Sequence, residues 1–124
     1  MASSNLSQST SQNNSLDPTQ NSASVFYLHP SNHANTKLVS NLFDGHGYND
    51  WRISIIIGLT AKNKMSFVDG TLSKPANLQP WERCNNMVLD WLIASLDRTT
   101  ARSVMYFSTA REIWLDLEEC FGQS

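Results

Sequence analysis

Thr109-Ala110-Arg111-Glu112-Ile113-Trp114-Leu115-Asp116-Leu117-Glu118-Glu119-Cys120-Phe121 is the most regular stretch of the chain, and its reading decides the fold class. Ala110, Ile113, Trp114, Leu117, Cys120 and Phe121 recur at steps of 3, 1, 3, 3 and 1, which draws one narrow apolar stripe along a helix. Thr109 with Glu112 three residues later is a capping box, in which each end of the pair satisfies an orphan backbone N–H of the first turn. This is an amphipathic helix with a marked start, and it needs other helices to cover its stripe.

Those helices lie upstream. Pro80 to Leu96 carries Trp81, Cys84, Val88, Trp91 and Ser95 on one stripe and Leu89, Leu92, Ile93 and Leu96 on another, so two neighbours can pack on it. Pro80 suits the first helical position, where a missing N–H costs nothing. Asp97-Arg98 ends that pattern, and Thr99 or Thr100 can cap a short helix through Ala101, Val104 and Met105. Further back, Asn49 can cap a helix from about Asp50 to Lys62, with Asp50 in its first turn. Trp51, Ile55 and Leu59 share a face of that helix, while Ile53, Ile56, Ile57 and Thr60 cover much of the rest, which predicts a central position in the fold. Met65 to Leu72 contains the turn signal Asp69-Gly70 and predicts a short β-hairpin or an irregular loop. Residues 25–48 alternate apolar pairs with breakers and read as extended chain and turns. The expected architecture is all-α, a small bundle of about four helices with short connections and at most that one hairpin.

With 124 residues there is room for one small domain. Of the first 24 residues, 17 are Ser, Asn, Gln or Thr, too polar to offset the entropy of their own ordering. Residues 1–24 are therefore expected to be a disordered tail and residues 25–124 the helical domain, which holds every Trp, Tyr and Phe. Net charge is −2, so no bulk positive field is available to hold phosphate backbones. Two cysteines, Cys84 and Cys120, make neither a disulfide framework nor a zinc module and read as free thiols in a reducing, cytoplasmic setting. No secretory leader, myristoylation signal or apolar run of membrane-spanning length is present, so no membrane partner is expected.

The motifs of catalysis are missing. There is no Gly-x-Ser-x-Gly elbow, His-Glu-x-x-His pair, catalytic Cys-His signature or phosphate loop. His29 and His33 are four apart, but Pro30 between them disfavours the helix that would align them on a metal, so they read as surface histidines. Asp69-Gly70-Thr71 holds the residues of an aspartic-protease motif in the wrong order and reads as a turn. Trp51, Trp81, Trp91 and Trp114 sit on apolar stripes without interleaved basic residues, which makes them core rather than base-stacking groups. Lys62-Asn63-Lys64, the one basic cluster, reads as a complement to a helix dipole. No catalytic, cofactor-binding or metal-binding residue and no small-molecule substrate is assigned.

Several motifs in order resemble a known family: Tyr27-Leu28-His29-Pro30-Ser31, Leu38-Val39-Ser40, Gly47-Tyr48-Asn49-Asp50-Trp51, Leu59-Thr60-Ala61-Lys62-Asn63-Lys64 and Phe67-Val68-Asp69-Gly70, then Trp81-Glu82-Arg83-Cys84-Asn85-Asn86-Met87-Val88 and Thr109-Ala110-Arg111-Glu112-Ile113-Trp114. Together they resemble the N-terminal Gag domain of plant copia-type retrotransposons over residues 25–122. The resemblance implies a helical, capsid-like, non-enzymatic protein that assembles with copies of itself or with longer Gag copies, around element RNA. Its family-motif and core positions are Tyr48, Trp51, Leu59, Phe67, Trp81, Cys84, Val88, Trp91, Leu92, Ile113, Trp114 and Leu117. In the family further helices and a Cys-Cys-His-Cys zinc knuckle follow, whereas this chain stops at Gly122-Gln123-Ser124. The expectation is a truncated Gag module, with apolar surface left open near its last helices, that forms a homo-oligomer; the alternative is a nucleic-acid-binding accessory protein acting with retroelement RNA.

Overall fold

The computed structural model describes residues 17, 19–21, 23–29, 37–73 and 75–122. Most of the expected disordered tail, and His33, lie outside the described residues. Five helices follow one another: α1 (Tyr48–Ala61), α2 (Ser66–Asp69), α3 (Leu78–Ala94), α4 (Arg98–Val104) and α5 (Ala110–Phe121). Among the described residues there is no strand beyond one isolated parallel bridge, Phe43 to Leu96. The fold is all-α, as the stripes predict.

α5 carries the expected capping box: Thr109 Oγ1 accepts from the Glu112 N–H at 3.2 Å, and Glu112 Oε1 accepts from the Thr109 N–H at 3.0 Å. Ala110, Ile113, Trp114 and Leu117 are buried, Phe121 is half-buried, and Cys120, at the edge of the stripe, is exposed. α3 buries Cys84, Val88, Trp91 and Leu92, continued by Ser95 and Leu96, and packs against both α4 and α5. Its cap is Asn77, which places Pro80 at the third helical position rather than the first. That site is equally free of an intrahelical N–H partner, so the proline is tolerated there. Asp97, not Thr99 or Thr100, caps α4, its Oδ1 accepting from the Thr100 N–H at 2.9 Å.

Two further segments depart from expectation. α1 starts at Tyr48 without a side-chain cap, because Gly47 turns the chain at φ 70°, a left-handed conformation that glycine adopts at no steric cost, and Asn49 lies inside the helix. Nor is α1 central. It buries Trp51, Ile55 and Leu59 but leaves Ile53 46% and Ile57 64% exposed, since neighbours cover only one of its faces. The second correction falls on Met65–Leu72, which forms no hairpin and is irregular only over residues 70–72. Ser66–Asp69 is a single helical turn that buries Phe67 and Val68 and packs on α5. Arg111 of α5 holds it there, Nη1 donating to the Val68 carbonyl at 2.7 Å. The turn ends at Gly70, φ 85°, where any Cβ would stand 2.7 Å from Arg111 Cζ.

Trp91 is fully buried on the face of α3 that meets the rest of the core, so Trp91→Ala is expected to lower stability by ~3–5 kcal/mol. Ile57→Ala, on the open face of α1, should stay within about 0.5 kcal/mol of the parent. Urea denaturation of the three proteins measures both; equal midpoints would refute the assignment of buried faces.

Candidate functional site

The described residues contain no group of three or more His, Cys, Asp or Glu side chains placed to hold a metal. Asp69 is a turn residue, its Oδ1 accepting from the Thr71 N–H at 2.9 Å and from the Thr71 hydroxyl at 2.7 Å. His29 is exposed. His46 and Asp44 form an exposed pair at 3.2 Å, and hydrogen bonding from the His46 backbone draws the Asp44 carboxyl below its ordinary range. An open cleft of about 740 Å3 lies between the start of α1 and the end of α5, lined by His46, Tyr48, Arg52, Glu118 and Phe121 among others. The Tyr48 hydroxyl is buried there without a hydrogen-bond partner, and burial first, then Glu118, push its pKa up against the opposing pull of Arg52. A phenol held protonated with no base on it is not a general acid–base pair.

The group that the sequence reading misplaced is Lys64. α1 ends in a Schellman stop: the Lys64 N–H reaches the Leu59 carbonyl at 2.8 Å, the Asn63 N–H reaches the Thr60 carbonyl at 3.0 Å, and Asn63 takes the left-handed position at φ 58°. In this motif the residue after the left-handed one faces back onto the last turn. Lys64 is that residue, so its side chain enters the core and is 1% exposed. Its Nζ donates to the Tyr27 carbonyl at 2.6 Å and the Lys62 carbonyl at 3.4 Å, and no carboxylate lies within ion-pair distance among the described residues. Desolvation therefore lowers its pKa.

Beside it, Cys84 donates Sγ–H to the Phe26 carbonyl at 3.4 Å. Burial pushes its thiol up despite Lys64 and Arg83, which marks an inert structural thiol. Asn63 Nδ2 reaches the Ala23 carbonyl at 3.4 Å, and Phe26 meets Phe67 edge to face at 6.2 Å. Three polar side chains and one ring contact thus strap residues 23–28 over the end of α1. Lys62 lies over the Trp91 ring at 5.4 Å, so both lysines of the basic cluster are engaged by the chain itself. The polar chemistry of this region is spent on holding the fold.

The structure buries Trp51, Leu59, Phe67, Cys84, Val88, Trp91, Leu92, Ile113, Trp114 and Leu117, and leaves Tyr48 and Trp81 half-buried. It brings Tyr48, Trp51 and Trp114 into one aromatic cluster, with ring centroids 5.7 Å apart for Tyr48–Trp51 and 5.6 Å for Trp51–Trp114. Sequence reasoning missed Asn85, 2% exposed, whose Nδ2 donates to the Ser108 carbonyl and whose Oδ1 accepts from the Ala110 N–H, each at 3.0 Å. A polar residue one place beyond Cys84, on the edge of the buried stripe of α3, was the available signal.

A family model described as Gag-polypeptide of LTR copia-type matches residues 29–76, so this region is similar to copia-type Gag. That match spans the motifs at Gly47–Trp51, Leu59–Lys64 and Phe67–Gly70; the motifs beginning at Trp81 and Thr109 lie beyond it. No curated protein and no solved structure matches the chain.

Lys64 gives the site a pH signature. Between its depressed folded pKa and the ordinary 10.5, the unfolded chain binds more protons than the folded one, so this group makes stability rise with pH. The stability of the parent minus that of Lys64→Met should therefore increase from neutral pH towards pH 10, as read by urea denaturation at each pH. A flat difference would mean that Lys64 keeps its ordinary proton affinity in the fold.

Proposed function

We propose that the chain is a non-enzymatic, Gag-like structural module that works in the cytoplasm by associating with copies of itself or with longer Gag chains. The observation that carries this reading is the copia-type Gag match over residues 29–76. Two features of the molecule support it. Lys64, Asn85, Ser95 and Arg111 use their polar groups to hold the fold, and among the described residues no nucleophile, base and oxyanion donors converge on a cleft. In addition, Leu42, Ile53, Ile57, Leu78, Met105, Tyr106 and Leu115 remain exposed and are available to a contact between chains.

RNA binding by the Lys62-Asn63-Lys64 cluster is not favoured, because one lysine is buried and the other lies over Trp91. No described helix is long and apolar enough to cross a membrane.

Sedimentation velocity over a wide range of protein concentration tests the proposal, with a reductant present so that exposed Cys120 adds no covalent dimer. The weight-average sedimentation coefficient should climb with concentration. A constant monomer value across the range would remove self-association from the reading.

A further inference from the structure

The outer faces of α4 and α5, the sides turned away from the core, carry opposite charge beside exposed apolar side chains. α4 buries Thr100 and Val104. At 100° per residue the opposite side holds Arg98 and Arg102, with Met105 and Tyr106 continuing it just past the helix end. Both arginines are exposed, Met105 is 49% and Tyr106 89% exposed, and neither arginine pairs with a carboxylate among the described residues. α5 buries Ala110, Ile113, Trp114 and Leu117. Its opposite side is Glu112, Leu115, Asp116 and Glu119, spaced i, i+3, i+4 and i+7. Leu115 is 43% exposed at the centre of three carboxylates with no basic residue among them. The pKa of the Cys120 thiol is raised first by desolvation and then by Asp116 and Glu119.

We propose that the outer face of α4 on one copy docks on the outer face of α5 of a second copy, Arg98 and Arg102 meeting Asp116 and Glu119 while Met105 and Tyr106 cover Leu115. This rests on the self-association reading and names the surface through which it occurs. Charge complementarity selects a second copy as occupant: each face is the other's counterpart in sign, and each carries exposed apolar side chains, Met105 and Tyr106 at the end of α4 and Leu115 among the carboxylates of α5. The Arg side chains can bind carboxylates two-pronged, and the exposed Tyr106 ring supplies rigid contact area at the centre, where interfaces gain most of their affinity. Exposed ion pairs are individually weak, so the contact is concentration-dependent and loosens as salt rises. Repeated in an assembly, weak contacts of this kind sum through effective concentration.

The test uses two charge-reversed full-length proteins, Arg98→Glu/Arg102→Glu and Asp116→Lys/Glu119→Lys, examined by sedimentation alone and mixed. Glu112 is left intact because it caps α5. None of the four substituted side chains belongs to the core, and circular dichroism melting confirms that each variant is folded. Each alone should associate more than about tenfold more weakly than the parent, because like charges then face each other across the contact. An equimolar mixture should recover association, since the basic faces of one variant now meet the acidic faces of the other. Raising salt should weaken both the parent and the mixture. Folded variants that fail to recover when mixed overturn the proposed pairing. Variants that associate as well as the parent overturn this surface but leave self-association standing, while a parent that is monomeric throughout overturns both.

Discussion

Phe43 is where the separate parts of the fold are tied together. Its backbone makes the one isolated β-bridge found among the described residues, its N–H donating to the Ser95 carbonyl and its carbonyl accepting from the Asp97 N–H, each at 2.9 Å. Its ring contacts three others on two helices: stacked on Trp51 of α1 at 5.3 Å, and edge to face with Tyr48, also of α1, at 6.0 Å and with Phe121 of α5 at 5.0 Å. Trp51 then reaches Trp114 of α5, and its indole N–H donates to Ser95 Oγ at 3.0 Å, which itself donates to the Leu92 carbonyl. Aromatic pairs of this kind add ~0.5–1.5 kcal/mol each beyond the area they bury. α1 is held at its start through this cluster and at its far end through the strap.

Those two attachments explain the one-sided burial of α1. At its start the cluster grips Trp51, at its end the Schellman stop swings Lys64 inward to the Tyr27 carbonyl, and between them Leu38 lies 3.0 Å from where a Gly58 Cβ would stand. Ile53 and Ile57 point away from all three. A side chain larger than hydrogen at position 58 would push against Leu38 and disturb how the segment lies on the helix.

The parts of the fold that were legible in the sequence are those whose cause is local. The capping box at Thr109, the narrow stripe of α5 and the long apolar face of α3 each arise from residues within a turn or two of one another. The parts that were not legible depend on partners far along the chain. α2 is a single turn whose Val68 carbonyl is held by Arg111, 43 positions away, and Lys64 finds its acceptor 37 positions away. Isoleucines at 53, 56 and 57 obscured the side of α1 that faces the core, because hydrophobicity alone cannot say which of two apolar faces finds a neighbour. Catalytic motifs are absent from the sequence itself, whereas the structural role of the strap's polar side chains exists only in the folded chain, where Lys64, Asn63 and Cys84 meet carbonyls far away in sequence.

If the inside of this molecule is occupied with holding itself together, its work is done at its surface, and the proposed contact between the outer faces of α4 and α5 is the centre of that account. The most direct measurement is the change in backbone amide shifts of labelled full-length protein between dilute and concentrated solution. The account predicts that the changes gather on Arg98 to Tyr106 and on Glu112 to Glu119, with the Ile53–Ile57 face of α1 unmoved. Changes confined to α1, or spectra that do not depend on concentration, would contradict it.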